Sequence, residues 1–317
     1  MSSPGAVSST GDGGPLRLGT RRSLLAMAQS QQVADALTRR TGHAVELVGV
    51  TTEGDVSKAL LAQIGGTGVF VNRLREKLLS GEIDFAVHSL KDLPTGPPDG
   101  IALAATPVRE DPRDALCGPA KLSDLPRGAR VGTGSPRRAA QLRALRPDLE
   151  VVPIRGNADT RLRKVSDGEL DAVVLAYAGL RRLGRVEGVA EVFDPDQMLP
   201  APGQGALALE CRADRDDLRA LLAAVDDPAT RRAVTAERTV LAVLEAGCSA
   251  PVGTYAAEEE ENLRLTATVV AYDGGRQVRL SASGHPERAE ELGRELARRL
   301  LAQGADQLMG ERDIEPR

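Results

Sequence analysis

The 317-residue sequence is poor in aromatic residues, with three Phe, three Tyr and no Trp, or 2% of the chain. Its cores must therefore be aliphatic, and binding of nucleic acid through bases stacked on aromatic rings is not expected. The formal net charge of −4 argues in the same direction, because general nucleic-acid-binding proteins usually carry a positive field. We expect no nucleic-acid partner.

Cysteines and long apolar runs are also scarce. Cys117, Cys211 and Cys248 show no metal-ligand spacing, and an odd number of cysteines suits a reducing cytoplasm. No apolar run approaches the roughly 18 residues that a membrane-spanning helix needs. Residues 1–14 lack the charged and apolar regions of a signal peptide and are typical of a disordered tail. We expect a cytoplasmic protein with no bound metal and no membrane partner.

Lysine is rare beside arginine, since only five of the 41 basic residues are Lys. Codon bias can explain most of this excess, but planar guanidinium groups also suit bidentate binding of carboxylates or phosphates. Several arginines cluster at predicted strand ends and helix starts, where backbone N–H groups also favour anions. A solvated face with scattered ion pairs is the alternative; we favour a cleft for a ligand with several anionic groups. The clusters are Arg21 and Arg22; Arg137 and Arg138; Arg155, Arg161 and Arg163; and Arg181 and Arg182.

Apolar strands alternate with amphipathic helices, which predicts an α/β fold. A partial repeat supports two similar domains, because residues 18–29 resemble 131–142 and residues 81–90 resemble 168–177, in the same order. Each half would offer a helix start and a post-strand loop to a shared cleft. A hairpin and a final helix predict a small α+β third domain. We expect domain 1 at 15–107 and 206–226, domain 2 at 108–205 and domain 3 at 227–317.

Two further segments carry reactive side chains. HSLKDLP (88–94) follows a predicted strand, so Ser89, Lys91 and Asp92 would face the cleft. Asp92 can donate a proton and then act as a fixed negative charge, or it can simply pair with Lys91. Cys248, in EAGCSAP (245–251), is by composition a packed thiol, although its loop of small residues also allows a nucleophile. Spacing alone decides neither case.

Eight segments in this order resemble the porphobilinogen deaminase (hydroxymethylbilane synthase) family, from about Arg17 to Leu308. They are RLGTRRSLLA, VHSLKDLP, EDPRDA, VGTGSPRR, RGNADTRL, LAYAGLRRLG, LPAPGQGALALEC and EAGCSAPVG. The resemblance implies a monomeric transferase of heme and other tetrapyrrole biosynthesis, which joins four porphobilinogen molecules head to tail with release of ammonia to give hydroxymethylbilane. It also implies two domains like those of type II periplasmic binding proteins, followed by a small third domain.

The resemblance further implies a dipyrromethane cofactor bound by a thioether to Cys248, and a catalytic role for Asp92. The other residues that it implies at the cofactor are Ser89, Lys91, Thr133, Ser135, Arg137, Arg138 and Arg161. Those that it implies at the substrate are Arg21, Ser23, Arg155 and Arg182. The chain departs from many relatives at Gln63 and Thr67, which replace lysines in a glycine-rich segment (64–70) that could close as a lid. It also departs at Gly134 and Ala246.

Two other classes of function compete with this interpretation. A solute-binding or effector-sensing protein could use the same cleft to hold an anion, although neither an export signal nor a helix-turn-helix is evident. A phosphate-transferring enzyme could use the GTGSPRR turn, but it lacks a Walker-type lysine and obvious carboxylates for a metal. Covalent attachment of a pyrrole to Cys248 distinguishes the three.

Overall fold

The computed structural model describes residues 14–50, 69–96, 98–247 and 250–310. Within these ranges, no helix combines the length and the apolar character needed to cross a membrane. Of the predicted tail, only Gly14 falls within them.

The described residues within 16–105 form most of one α/β unit, and residues 114–192 form a second. The elements of the first unit are β1 (Leu16–Arg21), α1 (Leu24–Thr41), β2 (Val45–Val50), α2 (Val69–Leu79), β3 (Phe85–Ser89) and β4 (Ile101–Ala105). Those of the second are β5 (Asp114–Cys117), β6 (Arg130–Thr133), α3 (Pro136–Leu145), β7 (Glu150–Pro153), α4 (Ala158–Ser166), β8 (Ala172–Ala176), α5 (Tyr177–Leu183) and β9 (Val189–Val192).

The chain then returns to the first unit and ends in a third. The returning elements are β10 (Leu207–Arg212) and α6 (Asp216–Leu222). The last unit consists of α7 (Pro228–Val243), β11 (Val252–Glu259), β12 (Asn262–Val270), β13 (Gln277–Gly284), α8 (Ala289–Ala302) and α9 (Ala305–Gly310).

The two five-stranded sheets have equivalent strand orders. The first is β2-β1-β3-β10-β4 and the second is β7-β6-β8-β5-β9. In each, three parallel strands are followed by one antiparallel strand, β10 in the first sheet and β5 in the second. The chain enters the second sheet at β5 and returns to the first at β10. The predicted pair of similar α/β domains is therefore confirmed. In both sheets a helix start follows the middle one of the three parallel strands, β1 or β6, and a short helix follows the next strand, β3 or β8.

The third unit is the predicted small α+β domain. Its antiparallel sheet has the order β11-β12-β13, and α7 and α8 pack against it. The hairpin of β12 and β13 is confirmed, whereas β11 was not predicted. The strands thus form three sheets. The residue bounds of the three domains stay a prediction.

The cores are aliphatic, as the low aromatic content predicts. Each fully buried Leu or Val contributes about 1.5–3 kcal/mol relative to an exposed one. The first sheet buries Leu18 and Leu209, the second buries Val131 and Leu142, and the third buries Leu265 with Leu296 of α8. Cys211 and Cys117 lie in the first two of these domains as buried thiols, and burial raises the pKa of Cys117 to about 11. Both are therefore packing residues.

Candidate active site

Two capped helix starts follow equivalent strands of the two sheets, β1 in the first and β6 in the second. The Ser23 hydroxyl accepts a hydrogen bond from the Ala26 N–H at 3.3 Å and caps α1. The Ser135 hydroxyl caps α3 in the same way, accepting from the Arg138 N–H at 3.4 Å, with Pro136 in the first turn. Serine is a favoured residue at this capping position. Because a helix start carries partial positive charge, the two sheets present equivalent anion-attracting ends.

Arg137 and Arg138, in the first turn of α3, are buried around one carboxylate. Arg137 Nη1 lies 2.7 Å from Asp114 Oδ2, and Arg138 Nε lies 2.9 Å from Asp114 Oδ1. Burial raises the pKa of Asp114, but the two guanidinium groups outweigh burial and hold it well below its usual range. Burial lowers the pKa of Arg137, and Asp114 partly restores it. That these arginines face a ligand stays a prediction; the structure shows that they hold β5 to α3.

The turn that follows β3 carries Lys91 and Asp92. Lys91 Nζ donates a hydrogen bond to Gln204 Oε1 at 3.1 Å. Burial first, and then the charge of Arg138, lower the pKa of Lys91 to about 8. Asp92 ends the short 3₁₀ helix with its side chain exposed, and its charge acts on Lys91. The first domain thus places the cation of Lys91 beside the arginine pair of the second, with the Asp92 carboxylate acting on Lys91.

Ser89, the last residue of β3, contacts α1. Gln29 Nε2 of α1 donates to the Ser89 hydroxyl at 3.2 Å. Arg21 ends β1 in register with Val50 of β2 and is half-buried. Helix α1 packs against α5, which carries Arg182. The start of α1 and the helix with Arg182 are therefore neighbours across the two domains.

Three half-buried arginines of the second domain add positive charge to this edge. Arg161 Nε donates to the Gly156 carbonyl at 2.8 Å, and Arg182 Nη2 donates to the Gly205 carbonyl at 2.7 Å. Burial, followed by repulsion from Arg138 and Arg155, lowers the pKa of Arg161 to about 10. Burial also lowers the pKa of Arg182. Among the described residues, Arg155 forms no hydrogen bond or ion pair.

The other predicted arginines contribute less to this cluster. Arg22 and Arg163 are exposed, and the exposed Arg181 pairs with Glu110 at 2.9 Å. Thr133 is buried at the end of β6, where its hydroxyl accepts from the Ser135 N–H at 3.2 Å. Cys248 lies outside the described residues, as do Gln63 and Thr67.

Sequence reasoning missed several residues that organise the site. Asp114 and Gln204 connect the cationic side chains, and they lie in the EDPRDA and PAPGQGA segments, whose sequence gave no sign of this role. Arg238 of α7 donates to the carbonyls of Leu90 and Leu93 at 3.1 Å and of Pro94 at 2.7 Å. The third domain therefore holds the turn that carries Lys91 and Asp92.

A second buried pair joins all three domains. Arg109, in the connection from β4 to β5, binds Glu237 of α7 through two hydrogen bonds of 2.7 and 2.9 Å. The Glu237 carboxylate also accepts from the Gly203 N–H at 2.7 Å and from the Ala256 N–H at 2.8 Å. Its charge and its lone pairs are thereby satisfied at a site with no exposed surface.

These donors suit a ligand with several carboxylates. Burial and then repulsion by neighbouring arginines depress the pKa of Lys91 and of Arg161, and an added anion would relieve this repulsion. Residues 16–220 match the family model "Porphobilinogen deaminase, dipyromethane cofactor binding domain", and residues 231–302 match its C-terminal domain. The chain belongs to the porphobilinogen deaminase family.

Individual relatives agree with this assignment. A porphobilinogen deaminase of Thermobifida fusca is 61% identical over 308 residues, covering 94% of this chain and 96% of the relative. Porphobilinogen deaminase 1 of Streptomyces coelicolor is 60% identical over 312 residues, covering 94% and 98%. Among solved structures, the methionine binding protein MetQ matches with a TM-score of 0.43 and 13% identity, over 66% of this chain and 89% of that chain. The family, its enzymatic nature and its dipyrromethane cofactor are thus as the sequence predicted.

Proposed function

We propose that this protein is a transferase that joins four porphobilinogen molecules head to tail into hydroxymethylbilane, releasing one ammonia at each step. The observation that carries the proposal is the cluster of Lys91, Arg138, Arg155 and Arg161 beside the exposed carboxylate of Asp92. Porphobilinogen carries two carboxylates and an amine, so each added unit brings more negative charge and needs more cationic contacts. Guanidinium groups supply such contacts without losing their charge.

The cofactor fits the donors of the cluster. We assign its covalent attachment to Cys248, and its carboxylates to Lys91, Arg137, Arg138 and Arg161. Hydroxyl and backbone contacts would come from the residues around the turn and the helix start, namely Ser89, Thr133 and Ser135. When bound, the dipyrromethane supplies the pyrrole carbon to which the first substrate is joined. The excess of buried cations over carboxylates at this edge supports the assignment.

The incoming porphobilinogen is assigned to Arg155 of the cluster and to Arg21, Ser23 and Arg182 around it. Arg155 is the strongest candidate, because it forms no bond among the described residues and is half-buried beside Arg161. Arg182, Arg21 and Ser23 lie on α5, at the end of β1 and at the start of α1, elements that adjoin across the domains. Together they would hold the acetate and propionate groups and orient the amine toward Asp92.

Asp92 is assigned the proton transfers. A carboxyl oxygen of Asp92 gives a proton to the amine nitrogen of porphobilinogen, so that ammonia leaves as the carbon–nitrogen bond breaks. The resulting carboxylate steadies the positive charge that develops on the pyrrole nitrogen. After the new carbon–carbon bond forms, the same carboxylate takes the proton released from the ring carbon. Its exposed position at the end of the 3₁₀ turn supports access to substrate.

Intact-mass measurement of the purified protein tests the proposal. The wild type should carry the added mass of two pyrrole units, and Cys248→Ser should lack it. Cys211→Ala, which alters a thiol buried in the first domain, is the control and should retain the addition. An unmodified mass in a wild-type preparation that turns over porphobilinogen would contradict covalent attachment. The monomeric state and the cytoplasmic location stay predictions, of which sedimentation analysis tests the first.

A further inference from the structure

Gln204 is a buried glutamine in the connection from β9 to β10, with 1% of its surface exposed. Its side-chain oxygen accepts hydrogen bonds from Lys91 Nζ at 3.1 Å and from Arg138 Nη2 at 3.4 Å. Its side-chain nitrogen donates to the Pro112 carbonyl at 2.7 Å and to Asp114 Oδ1 at 2.8 Å. One amide therefore joins the Lys91–Asp92 turn of the first domain to the buried ion pairs of the second.

The charges around the amide fix its orientation. The side chains of Lys91 and Arg138 can only donate hydrogen bonds, whereas the Asp114 carboxylate and the Pro112 carbonyl can only accept them. Only a side chain with an acceptor on one side and donors on the other satisfies both sets. A glutamate would lack the donors, and an apolar side chain of the same length would lack both. The geometry therefore requires an amide at this position rather than a buried side chain of the right volume alone.

The backbone around Gln204 is held on several sides. Its own carbonyl accepts from Arg109 Nε at 2.8 Å, and the carbonyl of the next residue, Gly205, accepts from Arg182 Nη2 at 2.7 Å. Gly205 has φ +86°, and a Cβ atom there would lie 2.4 Å from the Glu110 carbonyl oxygen. The amide is thus anchored on a rigid segment, which is what a group that positions others requires.

We infer that Gln204 is a positioning residue, which sets the place of Lys91 and Asp92 relative to the arginine cluster. The inference rests on the proposed function, because it assumes that Lys91 and Arg138 contact the cofactor and that Asp92 acts on the substrate. Gln204 itself acts only through these side chains.

Lys91 provides a readout that a purely structural role would not change. Charges that act on it come from Asp92 in its own turn, from Arg137 and Arg138 on α3, and from Asp114 on β5. With Gln204 as a neutral acceptor, its pKa is about 8. A carboxylate in place of the amide should raise that pKa, and removal of the acceptor should lower it further. Where activity depends on the charged form of Lys91, kcat falls on the alkaline side as Lys91 loses its proton, which is the alkaline limb of the pH profile. The pH of this fall should therefore be higher with the carboxylate and lower without the acceptor.

The experiment compares kcat against pH for the cofactor-loaded wild type, Gln204→Glu and Gln204→Met. We expect the alkaline limb to move up in Gln204→Glu and down in Gln204→Met, with kcat at neutral pH lowered about tenfold or more in Gln204→Met. Gln141→Met is the matched control. Gln141 is also buried, and among the described residues its amide bonds only to the backbone of Leu199 and Arg137, so its loss should affect stability without moving the limb.

The outcomes separate this inference from the proposed function. Loaded variants with the alkaline limb and kcat of the wild type would overturn the positioning role while leaving the function intact. A wild type without attached dipyrrole and without turnover would instead overturn the function. Gln204→Glu keeps the size of the side chain, so it decides the question alone if Gln204→Met does not fold. An unmoved limb in Gln204→Glu then counts against the inference.

Discussion

Arg138 and Asp114 form a fully buried ion pair, in which Nε and Nη2 of the arginine lie 2.9 and 2.8 Å from the same carboxylate oxygen. Arg137 lies beside the other oxygen, so one carboxylate balances two guanidinium groups that are almost entirely buried. A buried charge that loses its partner is costly, which makes Asp114 a structural requirement for both arginines. The pair joins the first strand of the second domain to the helix start that we assign to the cofactor.

Asp114→Asn should therefore destabilise the protein strongly. It leaves two buried guanidinium groups without their counter-charge, and we expect a loss of about 3–5 kcal/mol in the free energy of unfolding. Urea denaturation measures this. Asp214→Asn is the control, since Asp214 pairs with Arg212 at the surface and its loss should change little. An Asp114→Asn variant as stable as the control would show that the ion pairs contribute nothing to stability.

Glu210 gives the fold a specific sensitivity to acid. Burial alone would raise its pKa, but His88 and Arg75 beside it outweigh burial and lower it to about 2. A lowered pKa stabilises the folded state above the ordinary pKa, and this contribution is lost as the pH falls toward the folded value. Glu210→Gln should thus cost about 3 kcal/mol near neutral pH, and the difference from wild type should shrink between about pH 4.5 and 2.

Unfolding measured across this range checks the prediction. Glu76→Gln, which removes an exposed partner of Arg73 on α2, should run parallel to wild type at each pH. A constant gap between wild type and Glu210→Gln would contradict the role of the carboxylate's charge.

Local chemistry made part of this fold predictable. A serine cap with a following proline defines the start of α3 without any tertiary contact, and the Ser23 cap does the same for α1. By contrast, β5 and β9 contain only four residues each, and neither shows a clear alternation of apolar and polar side chains. These strands exist because they pair within the sheet, with β5 between β8 and β9. Such pairing is not visible in a short sequence window.

The candidate site was likewise predictable only where local sequence determines it. The positions of Lys91 and Asp92 after a strand followed from local pattern, as did the arginines at helix starts, whereas Ser89 proved to be the last residue of β3 itself. The partners of those side chains did not, because Gln204 and Asp114 are 90 residues apart in sequence and meet only when β5 crosses into the second sheet. A lone glutamine between two glycines carries no sign of what its amide will bind.

Arg155→Met should weaken substrate binding without loss of stability. Arg155 forms no bond among the described residues, so folding has no need of its charge, whereas a charge-assisted contact with a carboxylate contributes about 1.5–3 kcal/mol. We expect KM for porphobilinogen to rise roughly 10- to 100-fold at an unchanged midpoint of thermal unfolding. Arg163→Met, at an exposed position on α4, should leave both values near wild type. An unchanged KM in Arg155→Met would remove it from the substrate site.

Arg238→Met should loosen the turn that carries Lys91 and Asp92. Arg238 holds three carbonyls of residues 90–94, and a displacement of catalytic groups by about 1 Å can reduce the rate about 100-fold. We expect faster amide hydrogen exchange in the turn and a 10- to 100-fold lower kcat, with the cofactor still attached. Arg232→Met on the same helix loses pairs with Glu258 and Glu287 and should leave the turn protected. Equal exchange in the two variants would contradict the proposed support from α7.

Asp92→Asn should separate chemistry from folding. Its side chain is exposed at the end of the 3₁₀ turn, so we expect the amide to be accommodated and the stability to stay close to wild type. An amide at this position can neither donate the proton to the leaving amine nor stabilise positive charge, and kcat should fall about 100- to 10,000-fold.

The control is Asp99→Asn, another exposed aspartate in the connection from β3 to β4, which should turn over at the wild-type rate. Intact mass must show whether Asp92→Asn carries its dipyrrole, because an unloaded enzyme would be inactive for a different reason. A loaded variant that is slow while Asp99→Asn is fast locates the defect in the reaction itself. A loaded Asp92→Asn variant with normal turnover would assign the proton transfers to another group, of which the nearby Lys91 would be the first to test by Lys91→Met.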